Sequence, residues 1–223
     1  MAVNLRIVNV FLASPGDLSD ERRAASLVVD EFNAELAEEL GYLVKLVGWE
    51  DTVSVFGRPQ ATINRELERC ELFVGLMWKK WGTPPDTAGK YTSGFEEEFW
   101  TSVERKSTDV QSEISLLFKE VDQELLDDPG DELKKVLAFR DRLIAQKIIL
   151  FEQFADIVEF KTKFRRCITK YVIGLRNRET EKVSALSQSP KLATNNSEPR
   201  KKKAAHRKHH CLRRGQSSYA RLY

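Results

Sequence analysis

The segment Ser93–Trp100, SGFEEEFW, places three consecutive carboxylates between aromatic residues. If this segment begins a helix, Phe95 and Phe99 lie one turn apart and face the protein interior. Glu98 lies beside that aromatic stripe, so it is the carboxylate best placed to lean over a crevice. There it could accept hydrogen bonds from sugar hydroxyls, or stabilise or attack an oxocarbenium-like centre, which requires neither histidine nor a metal.

The same residues also have a purely structural explanation. Ser93 and Glu96 have the S-x-x-E spacing of a helix capping box. Glu97 points away from the aromatic stripe and is predicted to be solvated. From spacing alone, three surface carboxylates are the simpler interpretation, and a catalytic Glu98 is the alternative that the surroundings of the helix must decide.

Histidine and cysteine usage limits the chemistry of the folded part. All three histidines lie within 199–223, which excludes Ser-His-Asp catalysis, Cys-His catalysis and histidine-ligated metals from residues 1–198. Cys70, Cys167 and Cys211 are far apart, odd in number and without a C-x-x-C motif. This argues against a disulfide framework and against structural zinc, so we expect no metal site.

The charge distribution separates a folded domain from a tail. Segment 199–223 contains nine Lys/Arg residues and no acid, which leaves 27 basic and 34 acidic residues in 1–198, a net charge of −7. The sequence becomes polar and loses its periodicity from about residue 178, so we expect an α/β domain over 1–177 and a disordered linker and basic tail over 178–223. The tail could attract nucleic acid, or could be sequence beyond a truncation or frameshift.

We expect a cytoplasmic protein with no membrane association. No apolar run approaches the roughly 20 residues of a membrane helix, and the N-terminus lacks the pattern of a secretory signal.

Strands and helices alternate five times, which predicts an α/β sandwich with a parallel, doubly wound sheet. The predicted strands are Leu5–Ala13, Tyr42–Asp51, Glu71–Trp78, Glu113–Glu120 and Lys147–Phe154. The predicted helices are Leu18–Glu39, Gln60–Arg69, Phe95–Lys106, Glu132–Gln146 and Asp156–Leu175.

Ligands of such a sheet bind at the carboxyl ends of the strands, where the first loop is Ser14–Asp17. Gly16 would let backbone approach a ligand, and the following helix offers free N–H groups to an anion. Capping of that helix by Asp17 or Ser19 is the simpler explanation. A second loop at this edge, Trp49–Gly57, contains a further carboxylate at Asp51.

The segment after the third strand carries two tryptophans, Trp78 and Trp81, with two lysines between them. The rings could stack on a base or a nicotinamide while the lysines meet phosphates, or the rings could simply cover the sheet edge. The Gly-Lys pair further on is not a phosphate-binding loop, because six residues separate its glycines and Tyr91, rather than Ser or Thr, follows Lys90.

Three segments in order resemble the bacterial domain of unknown function 4062 family: VFLASPGDLSDERRAA (Val10–Ala25), MWKKWGTPP (Met77–Pro85) and SGFEEEFW. That family is similar in fold to TIR domains and nucleoside 2-deoxyribosyltransferases, so the resemblance implies a flavodoxin/TIR-like three-layer sandwich with a five-stranded parallel sheet. It also implies that a nucleoside or NAD binds at the strand ends and that a helix glutamate handles the N-glycosidic bond. Laid onto Gly94, the transferase pattern G-T-x-x-E places this glutamate on Glu98, with Phe95 in place of the Thr.

The resemblance implies an NAD(P) glycohydrolase or a nucleoside deoxyribosyltransferase-like enzyme with NAD as substrate, no required cofactor and Glu98 as catalytic residue. Family members often form the N-terminal effector of NLR-like (STAND) NTPases in bacterial antiviral defence, so the expected partner is such an NTPase or a sensor. A non-enzymatic signalling module that acts by self-association is the alternative. The predicted nucleotide-binding residues are Ser14, Gly16, Asp17, Asp51, Trp78, Trp81 and Glu96.

Overall fold

Five parallel strands form one sheet in the computed structural model, which describes residues 4–48, 59–86, 89–108 and 112–187. The strands follow the spatial order β2-β1-β3-β4-β5, the flavodoxin-like order, and confirm the predicted α/β sandwich with a five-stranded parallel sheet. The strands are β1 Arg6–Ala13, β2 Tyr42–Val47, β3 Leu72–Met77, β4 Glu113–Lys119 and β5 Glu152–Phe154.

Helices cover both faces of this sheet. They are α1 Ser19–Leu40, α2 Pro59–Leu67, α3 Gly94–Thr108, α4 Gln123–Asp127, α5 Asp131–Gln146 and α6 Ile157–Ser187. Alternate residues of β1 point to opposite faces of the sheet. Val10 and Leu12 pack into the core under α1 and α6, whereas Phe11 and Ala13 pack into the core under α2, α3 and α5. Burial of both faces is the reason that the central strands read as uninterrupted apolar runs.

The chain reverses its winding direction beside β1, which places β1 between β2 and β3. Arg6 pairs with Tyr42 on one side, and Val10 pairs with Leu72 on the other. Loops leaving the carboxyl ends of β1 and β3 therefore run to opposite faces of the sheet and leave a crevice between them.

Two terminal elements differ from the prediction. Helix α6 continues beyond Leu175, its predicted end, to Ser187, and the side chain of Glu179 on this extension accepts a 2.6 Å hydrogen bond from the Tyr42 hydroxyl and pairs with Arg6. Tertiary contact thus holds a segment whose polar sequence predicted a linker. The remainder of the predicted linker and basic tail, from 188 onward, lies outside the described residues.

Strand β5 is shorter than predicted because the chain turns back towards α5 just after that helix ends at Gln146, its predicted end. Lys147 takes a left-handed conformation with φ of 50°, and the next N–H, that of Ile148, bonds back to the carbonyl of Leu143. Ile148, Ile149 and Phe151 pack towards the α5 core instead of extending β5, and Leu150 between them is exposed. The polar stretch before α5 contains one short helix, α4, that was not predicted. Within the described ranges, no helix combines the length and apolar character that a bilayer crossing requires.

Candidate functional site

A cleft of about 430 Å³ opens at the point where the winding direction reverses. Its walls are the loop after β1 (Ser14–Gly16), the loop after β3 (Trp81–Pro85), one face of α2, and the first turns of α3. The sequence predicted this location from the strand order that open parallel sheets share.

The predicted serine cap stabilises the start of α3, but the glutamate of the predicted capping box bonds to Thr92 rather than to Ser93. Ser93 is fully buried, and its Oγ accepts the backbone N–H of Glu96 at 3.1 Å. The Glu96 carboxylate does not return to Ser93 but accepts both the N–H and the hydroxyl of Thr92, each at 2.8 Å. Glu96 therefore stabilises the first turn of the helix. It is not among the residues that line the cleft.

Glu98 lies in the cleft and is almost completely buried, with 8% of its surface exposed. Its Oε1 accepts a 3.0 Å hydrogen bond from Nε2 of Gln60 on α2. Burial raises the pKa of this carboxyl to about 7, the Gln60 bond partly opposes that rise, and the charge of neighbouring Glu97 adds to it. The cleft thus contains a carboxyl group that holds its proton to a much higher pH than an exposed glutamate does.

The prediction that Glu97 is solvated is wrong. Only 6% of the Glu97 surface is exposed, and its Oε1 accepts a 2.7 Å hydrogen bond from Nδ2 of Asn64. Gln60 and Asn64 stand one turn apart on α2, so two amide groups meet two adjacent carboxylates of α3. Neither amide could be predicted from the sequence, because the docking of α2 on α3 is a long-range contact that local periodicity does not encode.

Gly94 makes room for this arrangement. A Cβ atom at position 94 would lie 2.8 Å from Oε1 of Gln60, closer than atoms can approach without a shift of the amide. Phe95 turns away towards the sheet, where its ring contacts Phe73 and Phe139 and only 6% of its surface is exposed. Phe95 is therefore part of the apolar core as well as of the cleft wall.

Asp17 does not cap α1, contrary to the simpler prediction. The N-cap residue is Leu18, without a side-chain capping bond, and Ser19 is the first helical residue. Asp17 Oδ2 instead accepts the backbone N–H groups of Lys79 and Lys80, both at 3.0 Å. Since β1 and β3 are neighbours in the sheet, this carboxylate ties together the loops at their ends.

The other three residues of this loop, Ser14, Pro15 and Gly16, line the cleft. Ser14 Oγ and the Pro15 carbonyl each accept a 3.0 Å hydrogen bond from Nη1 of Arg22, which fixes the loop against α1. Gly16 is exposed, with no atom within 4 Å of where a Cβ would lie.

The two tryptophans after β3 separate to opposite sides. Trp81 is buried in the cleft wall, where its Nε1 donates to the Thr92 hydroxyl at 2.8 Å. Trp78 lies away from the cleft: Lys79 and Lys119 hold their ammonium groups 3.5 and 4.3 Å from its ring centroid. Only Trp81 of the pair is placed to contact a ligand of the cleft.

A carboxylate that sequence analysis missed orders the loop containing Trp81. Glu132, at the start of α5, accepts the backbone N–H groups of Trp81 at 2.9 Å and Gly82 at 3.1 Å. The bond from Lys135, together with these N–H groups, lowers the pKa of Glu132. The acidic first turn of α5 was visible in the sequence, but its contact with the β3 loop was not.

Of the predicted site residues, the structure brings together Ser14, Gly16, Trp81 and Glu98. Asp17, Trp78 and Glu96 lie nearby in structural roles, and Asp51, with the rest of segment 49–58, lies outside the described residues. The assembled cleft offers one buried carboxylate, held by an amide, in a wall of backbone and apolar groups. Such a group can stabilise a developing positive charge or exchange a proton near neutral pH.

Comparison with known proteins identifies a family but no activity. The family described as "Domain of unknown function (DUF4062)" matches residues 9–169. No curated protein matches the chain significantly. Among solved structures, the crystal structure of translation elongation factor SelB from Methanococcus maripaludis, in complex with a GTP analogue, is similar with a TM-score of 0.39 and 14% identity. That match covers 88% of this chain and 37% of the SelB chain, and a likeness so distant carries no argument about function.

Proposed function

Since the chain belongs to the DUF4062 family, whose description names no activity, we propose a function from the cleft itself. The proposal is a TIR-like effector domain that binds an NAD-like nucleotide at the strand ends and hydrolyses its N-glycosidic bond. The single observation that carries it is Glu98, a buried carboxylate with a pKa near 7 in the cleft where such sheets bind ligands.

Glu98 would act in its ionised form on NAD. When the bond between ribose C1′ and the pyridinium nitrogen breaks, its electron pair goes to that nitrogen and nicotinamide leaves as a neutral molecule. The ribosyl carbon becomes electron-poor, and a carboxylate beside it stabilises the charge. Water then forms the new C1′–O bond and releases its proton, which yields ADP-ribose. Gln60 acts as a positioning residue that holds Oε1 of Glu98.

The pH dependence would separate this chemistry from nucleoside transfer. Because the pyridinium leaving group needs no proton, NAD hydrolysis should increase as pH rises through about 7 and then level off. A neutral nucleoside base needs a proton to leave, so a reaction in which protonated Glu98 donates that proton should decline over the same range.

The first experiment is NAD consumption by the full chain, at high protein concentration and with a crowding agent to promote assembly. Glu98→Gln should abolish consumption, whereas Glu104→Gln, an exposed position on the same helix, should leave it unchanged. Consumption that persists in Glu98→Gln would refute the assignment of the catalytic residue. No consumption by an assembled wild-type chain would refute NAD as the substrate.

A non-enzymatic interaction module is the second candidate, and the packing of Phe95 favours it. In the related transferases the matching position is Thr, whereas here the side chain is an apolar ring against the sheet. Loss of that hydroxyl fits a cleft that no longer turns over a ribosyl substrate. The module would then act by self-association or with an NLR-like NTPase or sensor. It predicts concentration-dependent or partner-dependent oligomers by light scattering, without nucleotide turnover.

A further inference from the structure

Half of strand β4 has a sheet neighbour on one side only. Strand β3 pairs with β4 from Glu113 to Phe118, whereas β5 pairs only with Leu117–Lys119. Segment 148–151, which could have continued β5, leaves the side chain of Leu150 94% exposed. Within the part of the chain that the structure describes, Glu113–Leu116 is therefore a sheet edge without a strand on its outer side.

The backbone of this edge directs hydrogen-bonding groups outward. Glu113 donates its N–H to the Glu71 carbonyl on the β3 side at 2.9 Å, and Glu120 donates to the Phe154 carbonyl on the β5 side at 2.9 Å. Successive N–H groups of a strand point to alternate edges. The N–H groups of Ile114 and Leu116 therefore point towards the β5 side, as that of Glu120 does, and among the described residues no strand pairs with Ile114 on that side.

A cleft of about 860 Å³ lies along this edge, between β4 and the middle of α6. Leu150 and Phe151 contribute apolar surface to it, and α6 contributes Cys167 and Gly174 among others. An open strand edge beside an apolar cleft is the arrangement that binds extended peptides, because backbone bonds supply affinity and the cleft selects side chains.

The charges of this cleft favour an acidic occupant. Its two acids already have partners, since Glu113 pairs with Lys106 at 2.8 Å and Glu152 pairs with Arg166. Lys170 and Arg178 form no ion pair with any residue that the structure describes. The Nε and Nη2 atoms of Arg178 are buried and have no hydrogen-bond acceptor among the described residues. Such unpaired donors on a charged group cost free energy, which a ligand that supplies an acceptor would recover.

We propose that the open edge Glu113–Leu116 binds an extended acidic segment of a partner protein as an additional strand. The segment's backbone would pair with Ile114, its apolar side chains would cover Leu150, and its carboxylate would meet Arg178 and Lys170. A second copy of this chain fits less well, because symmetric pairing through this edge would bring the same cations together from both sides. This surface is separate from the Glu98 cleft, and its test does not depend on catalysis.

The probe is a phage-displayed library of short random peptides, selected on the full chain. Selected peptides should be enriched in Asp and Glu, and a synthetic copy should bind with an affinity that falls as salt rises. Arg178→Gln should weaken binding by about tenfold or more, whereas Arg176→Gln, an exposed arginine nearby on α6, should not. Failure to enrich any peptide, enrichment of peptides without acids, or equal binding by Arg178→Gln would overturn the proposal.

Amide hydrogen exchange locates the binding without any substitution. The Ile114 amide should exchange quickly in the free chain and slow markedly when the selected peptide binds. The Ser115 amide, which faces β3, should be protected in both states and serves as the internal control. Slow exchange of Ile114 in the free chain, or no change on peptide binding, would show that the edge is not the binding site.

Discussion

Replacing Glu98 by Gln should make the protein more stable at alkaline pH while removing the proposed catalytic group. The carboxyl is buried, so the folded state disfavours its charge and the pKa lies near 7 rather than at the ordinary 4.5. Glutamine has nearly the same shape, can still accept the bond from Gln60, and never ionises. The substitution therefore removes the unfavourable charge and preserves the packing.

The magnitude follows from the two pKa values. Below pH 4.5 the group is protonated in both folded and unfolded chains and has no effect on stability. Between pH 4.5 and 7 the unfolded chain releases the proton and the folded chain retains it, so the free energy of unfolding falls as pH rises. Above pH 7 the loss is complete and amounts to about 3 kcal/mol. Glu98→Gln should recover this energy at pH 8 and none of it at pH 4.

The assay is urea unfolding of the full chain at pH 4 and pH 8, with Glu104→Gln as the exposed control on the same helix. At pH 8, Glu98→Gln should raise the free energy of unfolding by about 3 kcal/mol, which in thermal unfolding corresponds to a rise in melting temperature of about 6–12 °C at roughly 2–4 °C per kcal/mol for a domain of this size. The control should stay within about 0.5 kcal/mol of wild type at both pH values. Equal stabilities of wild type and Glu98→Gln at pH 8 would refute the desolvated carboxylate on which the proposed function depends.

Three further substitutions test how the cleft and the last helix are built. Asp17→Ala should cost about 2 kcal/mol in urea unfolding, because two backbone N–H groups lose their acceptor, whereas Asp20→Ala on the exposed side of α1 should cost less than about 0.5 kcal/mol. Gly94→Ala should displace the neighbouring Gln60 amide and lower NAD turnover, whereas Gly16→Ala, which has open space around it, should be stable and folded by circular dichroism. Tyr42→Phe removes the hydroxyl that bonds to the end of α6, and it should speed proteolysis of that helix end without unfolding the sheet; unchanged cleavage would show that the contact does not hold the extension.

Local patterns were sufficient for the sheet and for the approximate position of the site. The apolar runs of β1 and β3 can be read from sequence because burial on both faces leaves no polar alternation, and the strand–helix order restricts the topology to a few choices. The parallel arrangement places the loops after β1 and β3 at one edge. The first turn of α3 could be predicted because the serine cap is a contact between residues three positions apart.

Contacts between distant segments could not be predicted in this way. The sequence favoured Asp17 as a helix cap, but the adjacency of β1 and β3 gives its carboxylate two N–H groups more than 60 residues away. Polar sequence from about residue 178 predicted a linker, but the hydrogen bond from the Tyr42 hydroxyl of β2 to Glu179 stabilises a longer helix. In both cases hydrogen bonds to residues distant in the sequence determined the local structure, against the preference of the local sequence.

For the EEE triplet of α3, the sequence by itself determined that a helix begins there, which face is aromatic, and which glutamate lies beside that face. It could not determine the environments of Glu97 and Glu98, because these depend on the amides that α2 brings from more than 30 residues earlier. Only the tertiary structure decided that two of the three carboxylates are buried and that one of them titrates near neutral pH. The physical reason is that burial sets the pKa of a carboxyl, and burial is a property of the packed elements rather than of the segment that carries the residue.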